Sequence, residues 1–154
     1  MTRKAVVIGV DHSSGTPLNS CVLDATKMSE MLSKNADGSD NFEVVKLLDA
    51  TVAEALKAVR DLLHSAADVA LFYFSGHGGL NQSVSFLQMK DGPLMLKGLV
   101  ESVLTSNCPN RVVILDSCFS GDVGNFLGDI SYLTPGVTFM SACKRKEVSK
   151  CIID

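Results

Sequence analysis

The sequence predicts an α/β fold, a three-layer sandwich built on a mostly parallel central sheet. Three observations predict it. Strand-length apolar runs alternate along the chain with helical patterns. The runs, such as Val69–Phe74 and Val112–Leu115, are continuously apolar, which suits strands buried on both faces. Two of them stop at small residues followed by a reactive side chain, as strands do where they feed a loop on a sheet rim. Helices are then expected on both sides of the sheet.

The elements follow in order. Ala5–Val10 reads as the first strand, and a loop rich in Ser, Gly and Pro precedes an amphipathic helix from Asn19 to Leu32. Asn35–Asn41 is a polar turn and Phe42–Leu48 a second strand. Thr51 with Glu54 forms a capping box. The helix it opens carries Val52, Leu56, Val59, Leu62 and Leu63 on its apolar face. Val69–Phe74 is the third strand. Val84–Met89 reads as a short strand or hairpin arm, with turn chemistry at Asp91-Gly92-Pro93. Leu96–Leu104 is a third helix, Val112–Leu115 a fourth strand and Val137–Met140 a fifth. The stretch between Cys118 and Pro135 reads mostly as loop. No repeat, low-complexity tract or linker interrupts the chain, so its 154 residues read as one domain.

Composition narrows the function classes. A net charge of −3, with 46 % hydrophobic and 20 % charged residues, is ordinary for a soluble protein and gives no reason to expect nucleic acid or an anionic membrane as a partner. Lys144-Arg145-Lys146 is too short a basic run to alter that. No apolar run approaches a membrane span, and the N-terminus lacks the features of a signal peptide. The five cysteines are Cys21, Cys108, Cys118, Cys143 and Cys151. Their odd number and irregular spacing favour a reducing, cytoplasmic setting.

Two segments carry the chemistry. One is a strand running into Ser75-Gly76-His77-Gly78-Gly79, the other a strand running into Asp116-Ser117-Cys118-Phe119-Ser120-Gly121. If the two strands are neighbours, a histidine and a cysteine share one rim. A thiolate attacks a carbonyl carbon far better than a thiol does, and a nearby imidazole takes the proton and returns it to the leaving amine. The backbone N–H groups of Gly78 and Cys118 are available to the oxyanion. The glycines around His77 suggest left-handed backbone there. Taken singly, Cys21, Cys108, Cys143 and Cys151 read as small core residues. His64 reads as a surface residue and His12 as a solvated one. Asp116 alone could be a turn former and Asp24 an ordinary helix residue. The joint appearance of the two motifs favours the hydrolase reading.

With those segments, the chain resembles the caspase-like cysteine peptidases, and within them the metacaspase and orthocaspase branch. A third matching element is Cys21-Val22-Leu23-Asp24-Ala25, where the family has Cys-x-x-Asp-Ala. The resemblance runs from about Val6 to Val148 and implies the caspase-like fold. It makes Cys118 the nucleophile and His77 the general base and acid. It implies a protein or peptide substrate cut after Arg or Lys, held in an acidic pocket of Cys21, Asp24, Ser75 and Asp116. A carboxylate in a narrow cleft suits a guanidinium or ammonium.

The chemistry itself needs no cofactor. The resemblance also raises activation by calcium, for which Asp91, Asp122 and Asp129 are available, although Asn125 and the sparse spacing make no recognisable site. Family members continue through further helices and usually a sixth strand. The chain is therefore expected to be C-terminally incomplete as a caspase-like domain, with a C-terminal remainder or partner domain supplying the rest. The rival reading is an inactive caspase-like scaffold or regulatory module, or a fragment needing that C-terminal part. A cysteine phosphatase would need an arginine six residues after the cysteine, where Gly124 stands. There is no phosphate-binding glycine loop and no Cys-x-x-Cys pair for zinc.

Overall fold

A computed structural model describes residues 1–13, 15–82, 84–117 and 135–142. Among them, eight strands and three helices follow in the order β1 (Arg3–Gly9), α1 (Cys21–Ser33), β2 (Glu43–Leu48), α2 (Val52–Leu63), β3 (Val69–Ser75), β4 (Gly78–Asn81), β5 (Val84–Gln88), β6 (Pro93–Met95), α3 (Leu96–Thr105), β7 (Asn110–Asp116) and β8 (Val137–Ser141). Five strands form one sheet in the order β2-β1-β3-β7-β8, and every neighbouring pair is parallel. The expected α/β architecture is present. The expected loop between Cys118 and Pro135, and the segment beyond Ala142, lie outside the described residues.

Alternation along the strands builds the layers. Ala5, Val7, Leu71 and Tyr73 point to one face, where they pack with Ala25 of α1 and, at the margin, Met28 and Leu32. Val6, Ile8, Phe72, Phe74, Val113 and Leu115 point to the other, against Ala55, Val59 and Leu62 of α2 and Leu96, Leu99, Val100 and Val103 of α3. Period-two burial on both faces accounts for the continuously apolar runs.

The helices have identifiable local causes. Thr51 accepts from the Glu54 N–H at 3.3 Å and the Glu54 carboxylate accepts from the Thr51 N–H at 2.8 Å, so the capping box forms as its sequence predicts. The Asp91 carboxylate accepts from the Val52 N–H at 2.7 Å, satisfying a further open donor of α2. Leu56 departs from its expected place. It is 49 % exposed, because the buried stripe of α2 runs through Ala55, Val59, Leu62 and Leu63.

A buried cation closes the far end of α3. Arg111 donates from Nη1 to the carbonyls of Val103 (3.1 Å) and Ser106 (2.9 Å), and from Nη2 to that of Pro135 (2.9 Å). The carbonyl end of α3 thus meets the guanidinium, as the helix dipole favours, and the chain entering β8 is tied to it. No helix of the described residues is long and apolar enough to cross a membrane.

Candidate active site on the strand-end rim

The sheet register aligns the carboxyl ends of its central strands. Gly9 of β1 pairs with Ser75 of β3, and Ser75 pairs with Asp116 of β7. Backbone bonds continue past the ladder, from Val10 N–H to the Ser75 carbonyl at 2.9 Å and from Gly76 N–H to the Asp116 carbonyl at 3.3 Å. The strands carrying the histidine and cysteine motifs are therefore neighbours. His77 follows Ser75, the last residue of β3, by two. Cys118 follows Asp116 by two and lies outside the described residues.

His77 is held from two sides. Its carbonyl accepts from the Gln88 N–H at 2.8 Å, which fixes its backbone to β5. Its ring Nε2 lies 2.6 Å from the carbonyl oxygen of Thr16, in the connection between β1 and α1. A carbonyl only accepts, so Nε2 carries the hydrogen and Nδ1 is the basic nitrogen. Thr16 has no counterpart among the residues read from sequence, because a backbone carbonyl leaves no side-chain signature.

The glycines of the histidine motif act differently from expectation. Among the described glycines only Gly38 and Gly136 have positive φ. Gly76 and Gly79 are needed for close approach: a Cβ at Gly76 would lie 2.7 Å from Cζ of Phe74, and one at Gly79 would lie 2.5 Å from Cζ of Phe86. Gly78 belongs to β4, which pairs with β5 and, through it, β6 in a small antiparallel sheet. The stretch after His77 is thus a strand rather than a left-handed loop.

The four residues assigned to the basic pocket come together. Ser75 and Asp116 are paired across β3 and β7. Cys21 and Asp24 both lie in the first turn of α1, and Cys21 is buried. Gly9 lets that helix end approach, since a Cβ there would overlap the Cys21 carbonyl and sit 2.7 Å from Cβ of Ala25. The Asp11 carboxylate accepts from the Cys21 N–H at 2.8 Å and anchors the start of the helix.

The electrostatics of the cluster follow from its burial. Desolvation, reinforced by the charge of Asp24, pushes the Asp116 carboxyl above the ordinary carboxylate range. Tyr73, on the same strand face two residues before Ser75, is pushed up to about 12 by burial and by Asp116, against a hydrogen bond with Ser75. Tyr73 is therefore a neutral wall of the site. The period-two rule applied back from Ser75 points to it. Two carboxylates near one another, partly shielded from water, favour a cation between them.

Other candidates lie elsewhere. His64 caps the exposed end of α2. The side chain of Cys108 is buried 3.2 Å from the Ala67 carbonyl. Among the described residues no group of three or more His, Cys, Asp or Glu side chains could hold a metal. Of the aspartates named for calcium, Asp91 is engaged at α2, while Asp122 and Asp129 lie outside the described residues.

Comparison with known proteins bears on the family and the fold. The caspase domain family model matches residues 2–150. Among solved structures, pro-sf-caspase-1 superimposes with a TM-score of 0.60 at 19 % identity, over 76 % of this chain and 51 % of that one. The Drosophila initiator caspase Dronc does so with a TM-score of 0.53 at 11 % identity, over 73 % of this chain and 47 % of that one. The chain spans about half the length of each. A search of the curated proteins found no match. A family match across nearly the whole chain, on a five-stranded parallel sheet of the same fold, establishes that the chain belongs to the caspase domain family.

Proposed function

We propose that this caspase-domain chain is a cysteine endopeptidase of the metacaspase and orthocaspase branch that cleaves peptide bonds after Arg or Lys. The observation that carries the specificity is the convergence of Asp24 and Asp116 beside Ser75 and Cys21, at the end of the strand that leads to His77. A guanidinium or ammonium entering there finds two carboxylates whose mutual repulsion it relieves. An aspartyl side chain would add a third negative charge.

In this reading Cys118 is the nucleophile. His77 takes its proton through Nδ1, because Nε2 is committed to Thr16. The thiolate then forms a bond to the substrate carbonyl carbon, and the oxygen gains negative charge, to which the N–H groups of Gly78 and Cys118 donate. As the tetrahedral species collapses, the carbon–nitrogen bond breaks and His77 returns the proton to the leaving amine. Water, deprotonated by the same imidazole, then bonds to the acyl carbon, the carbon–sulfur bond breaks, and Cys118 leaves as the thiolate that regains the proton from His77. The groups used are a thiol, an imidazole and backbone amides, so the chemistry asks for no cofactor. The odd number and irregular spacing of the five cysteines suit work in a reducing cytoplasm.

The assignment of the dyad is tested by Cys118→Ala and His77→Ala, assayed on peptides with arginine before the scissile bond. Each variant is expected to abolish turnover with its thermal unfolding unchanged. Turnover that survives Cys118→Ala assigns the chemistry to another group.

A further inference from the structure

We infer that Asp49 is a positioning residue for His77, acting at a distance through the connection between β1 and α1; this rests on the reading of His77 as the general base. Asp49 directly follows β2, and its N–H donates to the Gly9 carbonyl at 2.8 Å. Its Oδ1 accepts from the N–H groups of both Asp11 and His12 at 2.9 Å, and its Oδ2 lies 3.0 Å from Nδ1 of His12. One carboxylate therefore grips two consecutive residues where the chain leaves β1.

That grip is passed on through Asp11. The Asp11 carbonyl accepts from the Leu18 N–H at 2.9 Å, and its carboxylate accepts from the Cys21 N–H at 2.8 Å. Thr16 thus lies in a turn closed by Asp11 and Leu18, with its own carbonyl 2.6 Å from His77 Nε2. The order of contacts is Asp49, then Asp11 and His12, then the closed turn, then the imidazole.

Two features mark Asp49 as more than a turn former. Its φ of 50° is a left-handed conformation in which aspartate and asparagine are among the better tolerated non-glycine residues. Burial opposes its charge, yet the hydrogen bonds from His12 and Asp11 outweigh that and hold its carboxyl below the ordinary range. The carboxylate is engaged by the loop rather than solvated beside it. Asp49 touches neither His77 nor the pocket, and it acts by fixing where Thr16 can stand.

The test compares Asp49→Gly with Asp49→Asn in the full chain. Glycine suits the left-handed backbone but removes the acceptor. Asparagine keeps an oxygen for the two N–H groups and tolerates the same φ. Two readouts are taken: kcat and KM on an arginyl peptide reporter, and the His77 tautomer from long-range proton–nitrogen NMR. The native chain is expected to show Nε2-protonated His77. Asp49→Gly is expected to give mixed tautomers and a kcat lower by about 10- to 100-fold, with KM moving less than about threefold. Asp49→Asn is expected to restore both readouts to within about threefold of native.

An unchanged tautomer in Asp49→Gly would overturn the inference, as would unchanged kcat, or Asp49→Asn losing as much as Asp49→Gly. If Asp49→Gly does not fold, Asp49→Ser takes its place, since its hydroxyl is too short to hold both N–H groups. If the native chain turns over no reporter, the peptidase reading is not supported for this chain by itself. The tautomer comparison then still decides whether Asp49 positions His77.

Discussion

Burial, and then the charge of Asp24 in the first turn of α1, raise the proton affinity of Asp116 at the end of β7. Strand register places Asp116 opposite Ser75, and the hydrogen bond anchoring Cys21 to Asp11 sets the helix that carries Asp24. The fold holds together two like charges that would separate in the unfolded chain.

Asp116→Asn should therefore stabilise the protein while weakening its proposed activity. The folded-state carboxyl titrates above its unfolded value, so the native state binds more protons and its stability falls as pH rises through that window. Removing the charge is expected to raise Tm at pH 7, with the gain shrinking as pH falls into the ordinary carboxylate range near 4. The same variant is expected to lose about 100-fold in kcat/KM on arginyl peptides, as a removed partner of a partly buried ion pair does. Calorimetry across pH, beside steady-state kinetics, checks both halves.

Gly9→Ala should displace α1. The added Cβ overlaps the Cys21 carbonyl, a backbone atom that cannot rotate away. A cost of about 1–3 kcal/mol is expected from overpacking, read as a lower urea midpoint. KM for an arginyl peptide should rise as Cys21 and Asp24 move with the helix.

Asp11→Ala should leave the Cys21 N–H without its acceptor at a buried helix start. The expected loss is about 1–2 kcal/mol. Asp11→Asn should retain most of that stability, which chemical denaturation of the pair would show.

Arg111→Met should open the far end of the sheet. Without the guanidinium, the carbonyls of Val103, Ser106 and Pro135 lose their donor, at a cost of about 2–3 kcal/mol. Hydrogen exchange should rise in β8 and at the end of α3 while the α1 face is unaffected. Uniform exchange would contradict this division.

Much of this architecture was legible in the sequence because strands buried on both faces announce themselves. Val69–Phe74 and Val112–Leu115 read as strands, and their parallel pairing brings Ser75 and Asp116 to one rim. The capping box placed the start of α2 to the residue. Leu56 misled because it sits beside the apolar stripe, and one sequence step turns a helical side chain by about 100°. The glycines beside His77 misled because glycine answers two needs, left-handed backbone and close approach, which look alike in a sequence. Here Phe74 and Phe86 require the second. Thr16 and Asp49 were illegible for different reasons: one acts through its backbone carbonyl, the other through N–H groups 38 and 37 positions away.

The proposed role of Asp24 and Asp116 is to select a basic side chain for a cysteine peptidase. It is tested most directly by three peptide reporters identical except for arginine, lysine or aspartate immediately before the scissile bond. Turnover of the arginyl and lysyl reporters is expected to exceed that of the aspartyl one by at least about 100-fold in kcat/KM, and Cys118→Ala to abolish it. Preferential turnover of the aspartyl reporter would contradict it.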